Sequence, residues 1–230
     1  MPPHGPATDV VDGSGNDPTP GRIALIRHGQ TTWSASGRHT SVTDIELTAA
    51  GEDQARAIPA LLAGLGLRPA RVLVSPRRRA LRTAELAGLI GGPESTRPGE
   101  PDSPVTADLV EWDYGRFEGL TTPQIRQQHP GWELFADGCP GGESPEQVST
   151  RADRVLTRAR ALAESGDVAL ICHGHIGRAV AVRWIGLPIA AGALIAQDAG
   201  ALTVLGTYHG GPIIDHANVL PFGHTRTAPA

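Results

Sequence analysis

Short apolar runs bounded by turn residues alternate along this chain with segments whose apolar residues recur every three or four positions. The runs at 23–26, 72–74 and 168–172 consist mainly of Val, Ile, Leu and Ala, which is typical of buried strands in a parallel sheet. Periodic segments after the capping residue Thr48 and from about 145 to 164 predict helices. The alternation predicts an α/β fold with a central, mostly parallel sheet.

Proline and glycine refine this outline. Pro59 predicts a kink or an early break in the helix after Thr48, and Pro76 predicts the first residue of a helix that ends near 91–93. The long polar loop at 29–47 is expected to line a site. Further expectations are an exposed loop at 91–103, a strand at 105–110, a short helix from Thr122 toward His129, a turn-rich loop at 138–145, a helix at 176–185, and a hairpin of strands 201–208 and 213–219.

Length and charge narrow the class of protein. With 230 residues, 40% of them hydrophobic, the chain suits one domain, expected at 21–220 between a disordered tail at 1–20 and a C-terminal tail at 221–230. A net charge of -4 argues against binding to nucleic acid or to an anionic membrane surface. The first residues lack the pattern of a signal peptide and no apolar run is long enough to span a bilayer, so a cytoplasmic protein is expected.

The chain contains no lysine, because all 20 of its basic residues are arginine. This composition excludes a Schiff-base lysine and the lysine of a nucleotide-binding P-loop. Cys139 and Cys172 have no metal-binding or redox spacing, and a structural disulfide between them is not expected.

Two histidines directly follow predicted strands. Arg27, His28 and Gly29 come after the run at 23–26, and His173 and Gly174 come after the run at 168–172. Because ligands of α/β proteins bind at the carboxyl ends of parallel strands, His28 and His173 are expected to share one pocket. Arg27 indicates an anionic target, since guanidinium pairs well with phosphate or carboxylate. The pattern predicts a phosphate site with a histidine nucleophile.

Four motifs occur in a fixed order. They are Arg27-His28-Gly29-Gln30-Thr31, Ser75-Pro76-Arg77-Arg78-Arg79-Ala80, Glu111-Trp112-Asp113-Tyr114-Gly115 and His173-Gly174. Together they resemble the signatures of the histidine phosphatase superfamily, in its phosphoglycerate mutase-like branch, over about residues 22–185. The segments 37–40 and 138–144 further resemble actinobacterial members described as acid phosphatases.

The resemblance implies a fold, a reaction and a set of site residues. The fold would be a three-layer sandwich whose sheet is flanked by helices. The reaction would be hydrolysis of a small phosphorylated substrate through a phosphohistidine, without a cofactor or a metal, and a homodimer is a further possibility. His28 would be the nucleophile and Glu111 the general acid and base. The phosphate donors would be Arg27, Arg79, His173 and the amide of Gly174, and a loop with Ser34, Thr40 and Ser41 would contact substrate.

Several alternatives stay open. The same superfamily includes phosphoglycerate mutases and sugar bisphosphatases, and a phosphate-binding module without turnover is a third possibility. His175 and His39 allow a zinc site. The run from Arg77 to Arg79 allows a nucleic-acid contact, although successive helical residues point about 100° apart and only one of the three can face a pocket. Ser34 stands where many relatives have asparagine, and the Thr40 hydroxyl is expected to compensate.

Overall fold

The computed structural model describes residues 20–91 and 103–221. The strands are β1 (Ile23–Arg27), β2 (Arg71–Val74), β3 (Val168–Cys172), β4 (Leu202–Tyr208) and β5 (Gly211–Val219). The helices are α1 (Thr32–Ala35), α2 (Ala49–Gly64), α3 (Arg78–Leu86), α4 (Thr122–Gln128), α5 (Leu134–Asp137), α6 (Pro145–Ala163) and α7 (Gly174–Trp184).

One five-stranded sheet runs in the order β2-β3-β1-β4-β5. The pairings of β3 with β2 and with β1 are parallel, whereas β4 is antiparallel to both β1 and β5. All strands except β4 therefore point in one direction, which confirms the predicted, mostly parallel sheet. The predicted C-terminal hairpin is β4 and β5, which turn at His209 and Gly210, both with positive φ.

Alternate side chains of the central strands enter two separate apolar layers. Ile23 and Leu25 pack with residues of α6 and α7, whereas Ala24 and Ile26 pack on the other face with residues of α2 and α3. The period of two along a strand explains this division. Helices therefore cover both faces of the sheet, and the predicted three-layer architecture is confirmed.

Several predicted elements have different bounds in the structure. The predicted strand at 105–110 is wrong: Val105 makes only an isolated bridge to Val74, and a 3₁₀ turn follows at Ala107–Leu109. The Thr106 hydroxyl accepts the Asp108 amide hydrogen bond, so a local side-chain bond starts the turn and ends the extended segment.

The predicted effects of two prolines need correction. Helix α2 continues through Pro59 without a break, because the proline ring is exposed while Ile58 and Leu62 are buried in the core. Helix α3 begins at Arg78, two residues after Pro76, and it ends at Leu86 because Gly88 adopts a left-handed conformation with φ +63°. Helix α7 begins at Gly174, before the predicted 176.

Other expectations fall outside the described residues or agree with the structure. The tails at 1–19 and 222–230, with His4 and His224, and the loop residues 92–102 lie outside them. The polar loop at 29–47 contains the short helix α1, whose capping box joins Thr31 and Ser34. Helices α4 and α6 occur where they were predicted. Cys139 and Cys172 are buried free thiols, and no helix in the described ranges has the length and apolar character needed to cross a membrane.

Candidate active site

Parallel strands β1 and β3 place His28 and His173 side by side. Arg27 and Cys172 are the last paired residues of the two strands, so the histidines that follow them leave the sheet at the same edge. The His28 amide donates a 3.0 Å hydrogen bond to the Cys172 carbonyl, and the two imidazole centroids lie 5.0 Å apart. The prediction that the histidines share one pocket is confirmed.

Close packing behind His28 requires glycine at position 29. A Cβ there would lie 2.1 Å from the carbonyl oxygen of Gly51 in α2. The Gly29 amide also donates a 3.1 Å hydrogen bond to the Thr83 hydroxyl in α3. The glycine therefore lets two helices fix the backbone that carries the candidate nucleophile.

The His28 imidazole is oriented for attack by its Nε2 atom. Its Nδ1 lies 2.7 Å from the Gly29 carbonyl oxygen. Because a carbonyl can only accept, Nδ1 carries the hydrogen and the lone pair is on Nε2. Burial, with the charges of Arg79 and Arg27, holds the His28 pKa well below its usual value of 6.5. The residue thus presents a neutral imidazole to the cavity that it lines.

Arg27 supplies a partly buried cation next to this imidazole. Its Nη1 donates a 2.7 Å hydrogen bond to the Gln197 carbonyl, and a Cβ on Gly174 would lie only 3.3 Å from its Cζ. Within residues 20–91 and 103–221, its buried Nε has no hydrogen-bond partner. Because an unpaired buried donor is costly, an anionic ligand that accepted from it would bind favourably.

Arg79 fixes the tautomer of His173. Its Nε donates a 3.2 Å hydrogen bond to Nδ1 of His173, so the hydrogen of that ring is on Nε2, which donates to the Ser75 hydroxyl at 2.8 Å. Burial, followed by the charge of Arg79, keeps the His173 pKa well below its usual value. Arg79 is the one arginine of the run 77–79 that is fully buried.

The same guanidinium organises the loop at 40–43. Its Nη atoms donate to the carbonyls of Thr40, Ser41 and Thr43. From the other side, the Glu118 carboxylate accepts hydrogen bonds from the amides of Ser41 and Thr43. An arginine and a glutamate together hold both the carbonyls and the amides of the loop expected to contact substrate.

Glu111 lies at the N-terminus of α7. Its carboxylate accepts hydrogen bonds from the amides of Trp112 at 2.9 Å, His175 at 3.0 Å and Ile176 at 2.9 Å. The positive end of the helix dipole favours an acidic group at this position. The carboxyl group also lines the cavity that contains His28, so the geometry brings the predicted acid and the predicted nucleophile to one site.

The cavity has a volume of about 570 Å³. Its walls include Ser34, Thr40 and Gly174, three of the residues expected to contact substrate. The Ser34 hydroxyl is engaged with the Thr31 backbone in the capping box. The buried Ser41 hydroxyl donates to the Glu111 carbonyl at 3.3 Å. Direct contact of these side chains with substrate stays a prediction.

Two further histidines and a tyrosine stand beside Glu111. The Tyr114 hydroxyl and Nδ1 of His175 share a 2.6 Å hydrogen bond, and Nδ1 of His39 donates to the Leu120 carbonyl at 2.9 Å. The rings of His39 and His175 are stacked, with centroids 5.7 Å apart. Each imidazole is therefore held by a protein partner, and the part of the chain that the structure describes contains no cluster of three or more potential metal ligands.

A family model described as "Histidine phosphatase superfamily (branch 1)" matches residues 23–220. The chain belongs to this superfamily. Its residues are 46% identical over 189 positions to an acid phosphatase of Mycobacterium tuberculosis, which covers 82% of this chain and 88% of the relative. They are 31% identical to a sedoheptulose 1,7-bisphosphatase of Saccharomyces cerevisiae, covering 73% of this chain and 69% of that protein.

A solved structure of a protein from an open reading frame of M. tuberculosis also resembles this fold. The TM-score is 0.79 and the sequence identity 43%, over 87% of this chain and 98% of the other. These similarities and the family match show that the chain is a hydrolase of phosphoric monoesters.

Two carboxylates of this histidine phosphatase that the sequence did not single out as site residues, Glu118 and Glu143, support the site. Glu118, which follows the motif at 111–115, holds the loop at 40–43. Glu143 accepts two hydrogen bonds from the nearly buried Arg151, at 2.9 and 2.7 Å, and one from the Asp113 amide. Their positions close to the motif were the available signal, but only the three-dimensional contacts show that both support the site rather than serve as solvated loop charges.

Substitution of Arg79 by lysine should lower kcat/KM by roughly 10²- to 10³-fold, the scale on which preorganised donors act. A lysine cannot reach His173 and the three loop carbonyls together, because one ammonium lacks the spread of a guanidinium. The neighbouring exposed Arg78, paired with Glu46, supplies the control Arg78→Gln, which should retain activity within about threefold. Equal losses in both variants would contradict the assigned role.

The buried histidines also predict how stability depends on pH. Because the folded pKa values of His28 and His173 lie well below 6.5, the unfolded chain binds more protons below that pH. The free energy of unfolding should therefore fall on acidification below about pH 6.5, by up to ~1.4 kcal/mol per pH unit for each histidine.

Urea unfolding at pH 5.5, 6.5 and 7.5 measures the slope of this free energy against pH. His28→Asn should make it shallower and the exposed-site control His209→Asn should not; equal slopes in all three proteins would count against the burial argument.

Proposed function

We propose that this protein is a metal-independent acid phosphatase that hydrolyses small phosphorylated metabolites through a phosphohistidine on His28. The observation that carries the proposal is the state of that imidazole, neutral and with the Nε2 lone pair free. Neutral imidazole is a competent nucleophile. Because its pKa is well below 6.5, the nucleophile stays unprotonated on the acid side of neutrality.

In the first step, Nε2 of His28 attacks phosphorus and the bond from phosphorus to the ester oxygen breaks. In this mechanism the acid form of Glu111 gives its proton to the departing oxygen, so that a neutral alcohol leaves. Arg27 and the Gly174 amide meet the charge on the transferred phosphoryl oxygens. Arg79 and His173, predicted from the resemblance as further phosphate donors, use their side-chain nitrogens for bonds to each other, to Ser75 and to loop carbonyls, so in this proposal they support the site from its buried side.

In the second step, water attacks the phosphohistidine. Its oxygen bonds to phosphorus as the bond from nitrogen to phosphorus breaks, and Glu111 takes the proton of the water. The products are inorganic phosphate and the original enzyme. Help of this kind from one carboxyl group contributes roughly 10²- to 10⁴-fold.

Two related activities compete with this proposal. A phosphoglycerate mutase would pass the phosphoryl group to a second substrate, but mutases of this superfamily usually have a longer segment between the acid and the second histidine than the 62 positions here (173 minus 111). A sugar bisphosphatase is the other, supported by the similarity to the yeast sedoheptulose 1,7-bisphosphatase. Both would use the same phosphohistidine. A mutase would differ in the acceptor of the phosphoryl group, and a sugar bisphosphatase in the substrate.

One assay separates these activities. Purified protein is incubated with 3-phosphoglycerate, sugar bisphosphates and simple phosphate esters, and both inorganic phosphate and isomerised glycerate are measured. We expect phosphate release that vanadate inhibits and that chelators leave intact. Dominant isomerisation would indicate a mutase, and activity lost on chelation and restored by zinc would contradict a metal-independent reaction.

A further inference from the structure

Arg178 presents a fixed cation to the cavity that His28 also lines. It lies three residues after His175 on α7, so both side chains emerge on one face of the helix, and both line the cavity. Its Nε donates a 2.7 Å hydrogen bond to the Gly192 carbonyl. Its guanidinium also lies 4.8 Å from the centroid of the Phe135 ring. These two contacts fix the orientation of the side chain before any ligand binds.

The outer edge of this guanidinium is unengaged. In residues 20–91 and 103–221, neither Nη atom of Arg178 has a hydrogen bond or an ion pair within 4 Å, and neither is among the fully enclosed unpaired nitrogens. Glu111, the charge that most favours the Arg178 cation, already accepts three backbone hydrogen bonds. The two Nη groups are therefore available to a ligand in the cavity.

Arg178 differs from the other cations in the cavity. Arg27 lies against Gly174 next to the nucleophile, where the transferred phosphoryl group is expected. Arg38 is exposed, with its guanidinium 5.8 Å from the Trp33 centroid, so solvent and salt screen its charge. Arg178 is only partly exposed, and a guanidinium that is partly shielded from solvent and already oriented binds a planar oxyanion strongly.

Another part of the cavity wall cannot solvate a charge. It consists of four consecutive apolar residues, Ala193, Leu194, Ile195 and Ala196, and Leu194 is 85% exposed. A substrate with a second charged group gains nothing from that surface. The side of Arg178 and His175 is the favourable place for such a group.

We propose that Arg178 is a specificity-determining residue that binds a second oxyanion, carboxylate or phosphate, on the alcohol part of the substrate. His175 lies beside it as a polar neighbour. The inference rests on the proposed phosphatase function and names the kind of ester that the site prefers. The reacting phosphate would bind at Arg27 and His28, beside Gly174 at the start of α7. The second anion would bind at Arg178, about one helical turn after Gly174.

Matched pairs of esters test the assignment. One pair is 3-phosphoglycerate and glycerol 3-phosphate, which differ by a carboxylate. The other is fructose 1,6-bisphosphate and fructose 1-phosphate, which differ by a second phosphate. For each pair, kcat/KM of the ester with the second anion is divided by kcat/KM of the ester without it. The ratio is measured in the wild type, Arg178→Gln, Arg178→Lys and the control Arg71→Gln, whose exposed guanidinium bonds only to the neighbouring Ala70 carbonyl in the described residues.

At least one pair should favour the ester with the second anion in the wild type, and the pair that does identifies the preferred anion. In Arg178→Gln that ratio should fall roughly 10- to 100-fold, the scale of a lost charge-assisted hydrogen bond. Arg178→Lys should be intermediate, because it keeps the charge and loses the planar fork. Arg71→Gln should leave the ratio unchanged.

Three results would overturn the inference. First, the inference would fail if the wild-type ratio of kcat/KM values were near one for both pairs, whether or not Arg178→Gln folds. Second, it would fail if folded Arg178→Gln had the same ratio as the wild type. If the wild type hydrolysed none of the four esters, nor p-nitrophenyl phosphate, the proposed function itself would fail, which distinguishes that case from the first two.

Discussion

Replacement of His28 by alanine is expected to lower kcat by at least about 10⁴-fold, the scale on which loss of a covalent nucleophile acts in other enzymes. The reason is the geometry of the ring: its Nδ1–H bond to the Gly29 carbonyl aims the Nε2 lone pair into the cavity. His173, whose ring is the neighbour of His28, cannot take over. Nδ1 of His173 accepts from Arg79 and its Nε2 bonds to Ser75.

The control for this substitution is His129→Ala, because His129 is exposed and lies outside the cavity that contains His28. Steady-state hydrolysis of p-nitrophenyl phosphate gives kcat, and far-UV circular dichroism with thermal melting shows whether each variant folds. His129→Ala should stay within about threefold of the wild type, as surface substitutions usually do. A folded His28→Ala protein that kept a tenth of the wild-type kcat would refute the assignment.

Replacement of Glu111 by glutamine is the second large effect. We expect kcat/KM, which covers the steps up to release of the alcohol, to fall roughly 10²- to 10⁴-fold for an alkyl phosphate, because the amide has no proton to give to the leaving oxygen. For p-nitrophenyl phosphate the fall should be at least about tenfold smaller, because nitrophenolate leaves without protonation and needs little help from an acid. The kinetic comparison uses glycerol 3-phosphate and p-nitrophenyl phosphate at one pH.

The difference between the two esters separates acid catalysis from structural damage. Glu111 also accepts three backbone amides, and glutamine can replace only part of these bonds, so some loss common to both esters is expected. Glu146→Gln, at an exposed position in the first turn of α6, is the control. If Glu111→Gln lowered kcat/KM of both esters by the same factor, a role as proton donor would be wrong.

The alternation of strands and helices and the meeting of the two histidines could be predicted from the sequence because both follow from local patterns of apolar and polar residues. Apolar runs identified β1 and β3, and the rule that parallel strands open at a common edge brought His28 and His173 together. The choice of Arg79 over its neighbours followed from a motif position, and its complete burial agrees.

Other features depend on contacts that no local pattern contains. The continuation of α2 through Pro59 depends on the packing of Ile58 and Leu62 against the sheet, which outweighs the local preference of proline. The partners of Arg79 are backbone carbonyls of a loop 36 to 39 positions away. The availability of Arg178 depends on Gly192 and Phe135, which only the folded chain brings to it.

The central claim is that the phosphoryl group passes through residue 28. The most direct measurement is rapid acid-free quenching of the enzyme with ³²P-labelled substrate, followed by digestion and identification of the labelled peptide. We predict an acid-labile, base-stable label on the peptide containing His28, formed within one turnover and absent from His28→Ala. Label on another residue, or full turnover with no labelled protein at any time, would contradict the account.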